Sequence, residues 1–111
     1  MAIANIRLTT TGLTTVFSST RNTAVTTIIA CNTAAPDPAD ETVNACELTL
    51  HIIPSGQVAG DSTTIVKSLT IPASETVFFS DEKVVLGLGD VIGARASTAN
   101  LLTITISTLP V

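Results

Sequence analysis

The sequence predicts an all-β chain folded as one antiparallel sandwich, and three observations carry that prediction. First, twenty Thr, eleven Ile and ten Val among 111 residues supply the β-branched side chains that suit a pleated, half-buried surface and resist helix. Second, no stretch of a dozen residues sustains an apolar stripe at helical spacing. Third, clusters of turn-forming residues cut the chain into short segments at fairly regular intervals, the pattern of a sandwich or barrel.

Eight strands are expected: 3–9, 14–18, 24–32, 45–53, 63–69, 76–79, 90–96 and 101–109. A ninth piece, 84–86, either pairs or runs as an extended linker. Alternation assigns faces. In 45–53, Cys46, Leu48, Leu50 and Ile52 share the inward side, leaving Glu47, Thr49 and His51 outward. In 101–109, Leu102, Ile104 and Ile106 face one way and Thr103, Thr105 and Ser107 the other. Strand 90–96 buries Ile92, Ala94 and Ala96 and exposes Arg95. Strand 24–32 is apolar on both faces, as expected of a strand covered on two sides. No composition break marks a second domain, so residues 1–111 read as one β-sandwich domain, jelly-roll-like or immunoglobulin-like.

Composition excludes several functions. The net charge is −4 and the five Lys and Arg are scattered singly, so nothing here meets a phosphate backbone, and no nucleic-acid partner is expected. The longest apolar runs, such as Ile28-Ile29-Ala30-Cys31, fall far short of the ~20 residues of a spanning helix. Three Phe cannot build the aromatic girdles of a membrane barrel. With no basic, apolar leader at the start, the chain is expected to be soluble and free of any membrane partner.

Chemistry-bearing motifs are equally sparse. His51 follows Glu47 by four residues on the same outward face, with Thr49 between them, and reads as a surface histidine rather than a general base. Cys31 and Cys46 flank the loop 33–44; in an antiparallel hairpin centred on Pro38-Ala39 they fall opposite one another on the inner face. They read as a cross-strand disulfide or two buried thiols, with reduced thiols favoured for a chain folding in a reducing compartment. Asp37, Asp40 and Glu41 lie in one Pro-flanked loop but lack a calcium-loop spacing, and read as a stiff, solvated turn. Asp81-Glu82-Lys83 reads as a charged turn, and Gly89-Asp90 as a tight turn opening a hairpin whose second strand follows the turn 97–100. No catalytic, cofactor-binding or metal-binding residue is assigned, no cofactor is expected, and an enzyme is not.

The surface carries the functional signal. Outward positions hold Thr, Ser and Ala where an isolated β domain uses Lys, Glu, Pro and bulges to protect its edges. Such a skin suits a chain packed against neighbours.

The run Leu86-Gly87-Leu88-Gly89-Asp90-Val91-Ile92-Gly93-Ala94-Arg95-Ala96-Ser97, followed by Leu102-Thr103-Ile104-Thr105-Ile106-Ser107, resembles the C-terminal hairpin of small structural proteins of tailed bacteriophages. Thr26–Thr33, ending in Cys31-Asn32, and Leu48–Gly56 resemble the middle strands of the same proteins, so the likeness spans most of residues 14–107. The acidic loop 34–44 is longer here than in that pattern. The resemblance implies a virion component made in the host cytoplasm, and capsid decoration (cement) ranks ahead of a neck, tail or baseplate part. Its partners would be copies of itself, as a trimer or hexamer, and the major capsid protein or neck and tail proteins. A carbohydrate- or surface-binding module is the alternative. It suffers from having only Phe17, Phe78 and Phe79 to offer as platforms.

Overall fold

A computed structural model describes residues 2–79 and 84–111 of the chain. Aliphatic side chains on alternate positions force two sheets to close on one another. The strands are β1 (Ala2–Arg7), β2 (Thr14–Ser18), β3 (Thr23–Asn32), β4 (Cys46–Ile53), β5 (Thr64–Ile71), β6 (Thr76–Phe79), β7 (Val84–Leu86), β8 (Val91–Ala96) and β9 (Leu102–Pro110). A single 3-10 turn, Asp61–Thr63, leads into β5. The expected antiparallel sandwich is present, and each expected strand lies within a residue or two of its predicted bounds. The 84–86 segment pairs with β3 instead of serving as a linker. The expected charged turn at Asp81-Glu82-Lys83 falls outside the described residues.

One sheet has the order β1-β9-β3-β6, with β7 also on β3; the other has the order β2-β8-β4-β5. β6 pairs with Ile28–Cys31 and β7 with Thr23–Val25, so the two line up end to end along the same side of β3. Counted as one strand they give eight, in the orders 1-8-3-6 and 2-7-4-5, which is the double Greek key of a jelly roll. An immunoglobulin-like arrangement keeps its first two strands in one sheet, whereas β1 and β2 here lie in different sheets.

This order corrects two expectations drawn from the sequence. Residues 33–45 do not close a hairpin, because β3 and β4 belong to opposite sheets. The turn itself is centred as expected, on Pro38-Ala39 between a lone bridge of Asp37 and Asp40, but the chain leaving it diverges. Likewise 97–101 does not join a hairpin: it carries the chain from β8 in one sheet to β9 in the other. Short turns and alternating strands look alike whether the next strand is a neighbour or lies across the core.

The interior is aliphatic. Leu48 and Leu50 of β4, Ile92 of β8, and Leu102, Ile104 and Ile106 of β9 meet there almost fully buried, with Leu8, Ile71 and Leu86 closing the ends. Each contributes about 1.5–3 kcal/mol by leaving water. Phe17 and Phe79 pack only against the margin of this cluster. β3 reaches the core on a broken rhythm, with Val25, Ile28 and Ala30 inward, because its register with β9 slips between Val25 and Thr27. The bulge turns Cys31 outward, against the expected inner placement.

One polar side chain locks the layers together. Asn32 ends β3 with no solvent exposure, and its amide nitrogen donates to the carbonyls of Ile71 (2.9 Å) and Asn44 (2.8 Å). Its oxygen accepts from the Ala34 amide at 3.0 Å. A strand end in one sheet is thereby tied to the end of β5 in the other. Replacing Asn32 by Ala removes a donor from the buried Ile71 carbonyl and from the more exposed Asn44 carbonyl, and should cost about 1–3 kcal/mol. Urea unfolding reads this directly, and an unchanged midpoint would show that the clamp carries no weight.

Candidate functional site

The outward faces of the two sheets differ in chemistry. On the five-stranded sheet the register aligns rows running from edge to edge. Asn5, Thr105, Ile29 and Phe78 form one row, and Arg7, Thr103, Cys31 and Thr76 form the next toward one end. Toward the other end Ile3, Ser107 and Thr27 align, and beyond them Leu109, Ala24 and Val85. Arg7 is the only charged side chain among the described residues of this face. Its guanidinium donates to the Asn100 carbonyl (2.6 and 3.2 Å), so it is tied to its own chain. Thr105 donates to the Asn5 side chain at 2.7 Å. Ile3 (67%), Phe78 (63%) and Val85 (66%) stand exposed on the margins. The middle of the face holds Thr, Ser and Ala with half-buried Ile29 and Cys31, and Leu109 stands partly exposed toward one end.

The edges differ too. β1 runs through six consecutive partners on β9 without a break. β2 slips register against β8 between Thr15 and Phe17, and β5 slips twice against β4, with Ser68 at φ +52°. Bulges protect an edge from foreign strands, so the four-stranded sheet is guarded where β1 is not.

The outward face of the four-stranded sheet carries the charges. Thr49, His51, Asp61, Lys67, Ser68 and Arg95 line a shallow groove of about 310 Å³. His51 lies on the predicted side of β4 but is not a surface residue: only 5% of it is exposed. It sits beside Gly93, which offers no side chain, and the chain around the 3-10 turn folds over it. Its Nδ1 lies 2.9 Å from the Thr63 hydroxyl and 3.4 Å from that of Thr64. Thr63 also accepts from the Gly60 amide, at 3.0 Å. The imidazole holds the loop down. Glu47, exposed near the far end of β4, takes no part in this network: its amide donates to the Ser97 hydroxyl at 2.9 Å and its carbonyl accepts from the Ser97 amide at 3.0 Å.

The remaining predicted sites resolve into structural roles. Cys46 lies in the core and Cys31 on the outward face of the other sheet, so both are free thiols and no bridge can join them. The hairpin geometry that would have paired them fails with the β3–β4 crossing. In the acidic loop, Asp37 accepts from the Ala39 amide (2.8 Å), and Asp40 from the Thr42 hydroxyl (2.7 Å) and amide (2.9 Å). Those carboxylates hold turns, and no group of three metal-ligating side chains converges among the described residues. Gly89 takes φ +87°, as its turn requires. Asp90 accepts from the amides of Gly87 (2.8 Å) and Ser55 (2.9 Å), fastening the loop after β4 to the turn before β8. In the sequence Asn32 is only the end of a strand; its clamp depends on Asn44 and Ile71, which no local pattern places beside it.

Two measurements follow from these contacts. The Thr42 hydroxyl and amide hold the Asp40 carboxyl below its ordinary range, and the Gly87 and Ser55 amides do the same for Asp90. Their contribution to stability is present at neutral pH and is lost as pH falls below about 4 and through the lowered values. Acidification should therefore lower the unfolding midpoint, and Asp90→Asn should flatten that dependence; an identical acid profile for the variant would contradict it. Alkylation of the dilute native chain should modify Cys31 and spare Cys46, and the reverse order by peptide mapping would refute the assigned faces.

No family model matches the chain, and no curated protein does. Among solved structures it is similar to a chain of the acidic stable capsid structure of Helicobacter pylori bacteriophage KHP30. The two share 11% identity at a TM-score of 0.60, over 99% of this chain and 88% of that one. At that identity the likeness is one of fold, and it extends over the whole jelly roll.

Proposed function

We propose that this chain is a structural component of a bacteriophage virion, acting by contact and without catalysis. The observation that carries the reading is the likeness of nearly its full length to a chain of a phage capsid structure. The outward face of the five-stranded sheet supports it, because among the described residues it carries only Arg7 as a charge and exposes Ile3, Phe78 and Val85 beside an edge that no bulge protects. The absence of a role in chemistry is supported by the occupied side chains: His51 is engaged with Thr63, Asp40 and Asp90 fasten turns, and Cys46 is core.

Within that class, capsid decoration is favoured over a neck, tail or baseplate position. A cement protein opposes internal pressure by burying area across capsomer junctions, and repeated contacts of ordinary interface size are sufficient for that. Copies grouped as a trimer or hexamer would present their faces to the shell and to adjacent groups. A carbohydrate-binding role finds less support, since Phe78 is the one strongly exposed aromatic side chain among the described residues.

The test is to purify particles from cells producing the chain, separate heads from tails, and quantify it by mass spectrometry. The expected result is recovery with heads in fixed proportion to the shell subunit. Recovery with tails would move the protein to the alternative location, and absence from particles would end the virion reading.

A further inference from the structure

We propose that the edge strand β1 pairs antiparallel with β1 of a second copy of this chain, joining the two five-stranded sheets into one across a two-fold axis at Asn5. The pairing rests on the contact role given above and names the surface and its occupant.

β1 ends its sheet on the side away from β6 and β7, with β9 as its one neighbour in the sheet. An antiparallel ladder alternates residues that aim their N–H and C=O groups at the neighbouring strand with residues that aim them away. The phase is fixed just past the end of β1. There the Leu8 amide donates to the Leu102 carbonyl (2.9 Å), and the Leu8 carbonyl accepts from the Asn100 amide (2.8 Å). The register with β9 is unbroken, so counting back by twos turns the backbone of Ile6 and Ala4 toward β9. The amides and carbonyls of Ile3, Asn5 and Arg7 then point out from the edge, and no hydrogen bond among the described residues engages them. Bulges interrupt β2 and β5 at the edges of the other sheet, whereas β1 has neither bulge nor proline.

This strand is its own complement. With Asn5 opposite Asn5 of the partner subunit, Ile3 falls opposite the partner's Arg7, and Arg7 opposite the partner's Ile3. All three are outward-bonding positions, so six backbone hydrogen bonds form, and any slide along the strand loses a pair. Side chains match on both faces. On the outside, Ile3 (67% exposed) gains the aliphatic stem of the partner's Arg7. The two Asn5 side chains meet at the axis, where each oxygen, already accepting from Thr105 (2.7 Å), has a lone pair left for the partner's amide. On the inside, half-buried Ala4 lies opposite the partner's Ile6, small against large, twice over. Ile6 already packs against the core, so the apolar interior continues across the axis. Electrostatics permits the contact. The chain carries −4, yet β1 holds no carboxylate, and the two Arg7 residues lie ~14 Å apart along the strands, beyond the ~10 Å reach of exposed charges at 0.1 M salt. A foreign strand could satisfy the backbone groups, but the Ala–Ile and Ile–Arg matches are specific to a second copy.

Amide hydrogen exchange, read beside sedimentation equilibrium on the full chain, tests the pairing. As concentration rises toward about 1 mM the chain should become a dimer. The amides of Ile3, Asn5 and Arg7 should slow in step, while those of Ala4 and Ile6 are protected throughout. Asn5→Pro removes the central outward N–H without touching a bond to β9. It should keep its circular dichroism and weaken association about tenfold or more. Asn5→Lys sets two ammonium groups side by side at the axis and should do the same. If N5P unfolds the chain, N5K and the exchange pattern decide alone. A wild type monomeric at every concentration, or a dimer whose Ile3, Asn5 and Arg7 amides stay fast, overturns the proposal. So do folded variants that associate as well as the wild type. A chain monomeric in solution but present in heads overturns this pairing and leaves the virion reading intact. A dimer with the expected edge protection but no incorporation upholds the pairing and overturns that reading.

Discussion

Two sheets built almost wholly from β-branched and aliphatic residues must hide one face each, and with no Trp or Tyr the bulk of the hiding is done by Leu and Ile, with Val, Ala and Cys46 filling between them. Leu48, Leu50, Ile92, Leu102, Ile104 and Ile106 therefore fix where the sheets meet, and period-two alternation then dictates what is left outside. In β9 every inward Leu or Ile commits a Thr or Ser to the exterior. The unusual surface is thus the complement of the core: an aliphatic interior packed from short repeats of Ile-Thr and Leu-Thr delivers a smooth, hydroxyl-rich skin.

The jelly-roll connectivity adds a second constraint. Apart from β4–β5 and β6–β7, consecutive strands lie in opposite sheets, so the chain crosses the core repeatedly and its contacts are overwhelmingly long-range. Such crossings leave strand ends over the rim, where their polar groups need partners. Asn32, Asp90 and Arg7 each meet that need by reaching to a distant segment. These three polar residues are the fastenings of the crossings.

Much of the fold was legible because β propensity and turn residues are local signals: strand positions such as Thr14–Ser18 and Thr76–Phe79 agree with the sequence reading to the residue. What was not legible depends on partners far along the chain. The bulge after Val25 reverses the faces of the rest of β3, and nothing in Thr26-Thr27 announces it. It alone sends Cys31 outward. His51 obeys its predicted alternation, but its burial comes from Thr63, brought back over β4 by the loop that follows. The contact role we propose draws on a shortage of charge that composition already displays; which face concentrates that shortage among the described residues follows only from β1, β9, β3, β6 and β7 sharing one sheet.

On the proposed contact role, the outward face of the five-stranded sheet is covered in the working assembly. A density map of particles containing the chain, at a resolution that separates the two sheets, examines it most directly. The expected map has protein density packed against β1, β9, β3 and the β6–β7 line, with the groove around Arg95 open to solvent. Density showing that face bare, with the opposite sheet engaged, would contradict it.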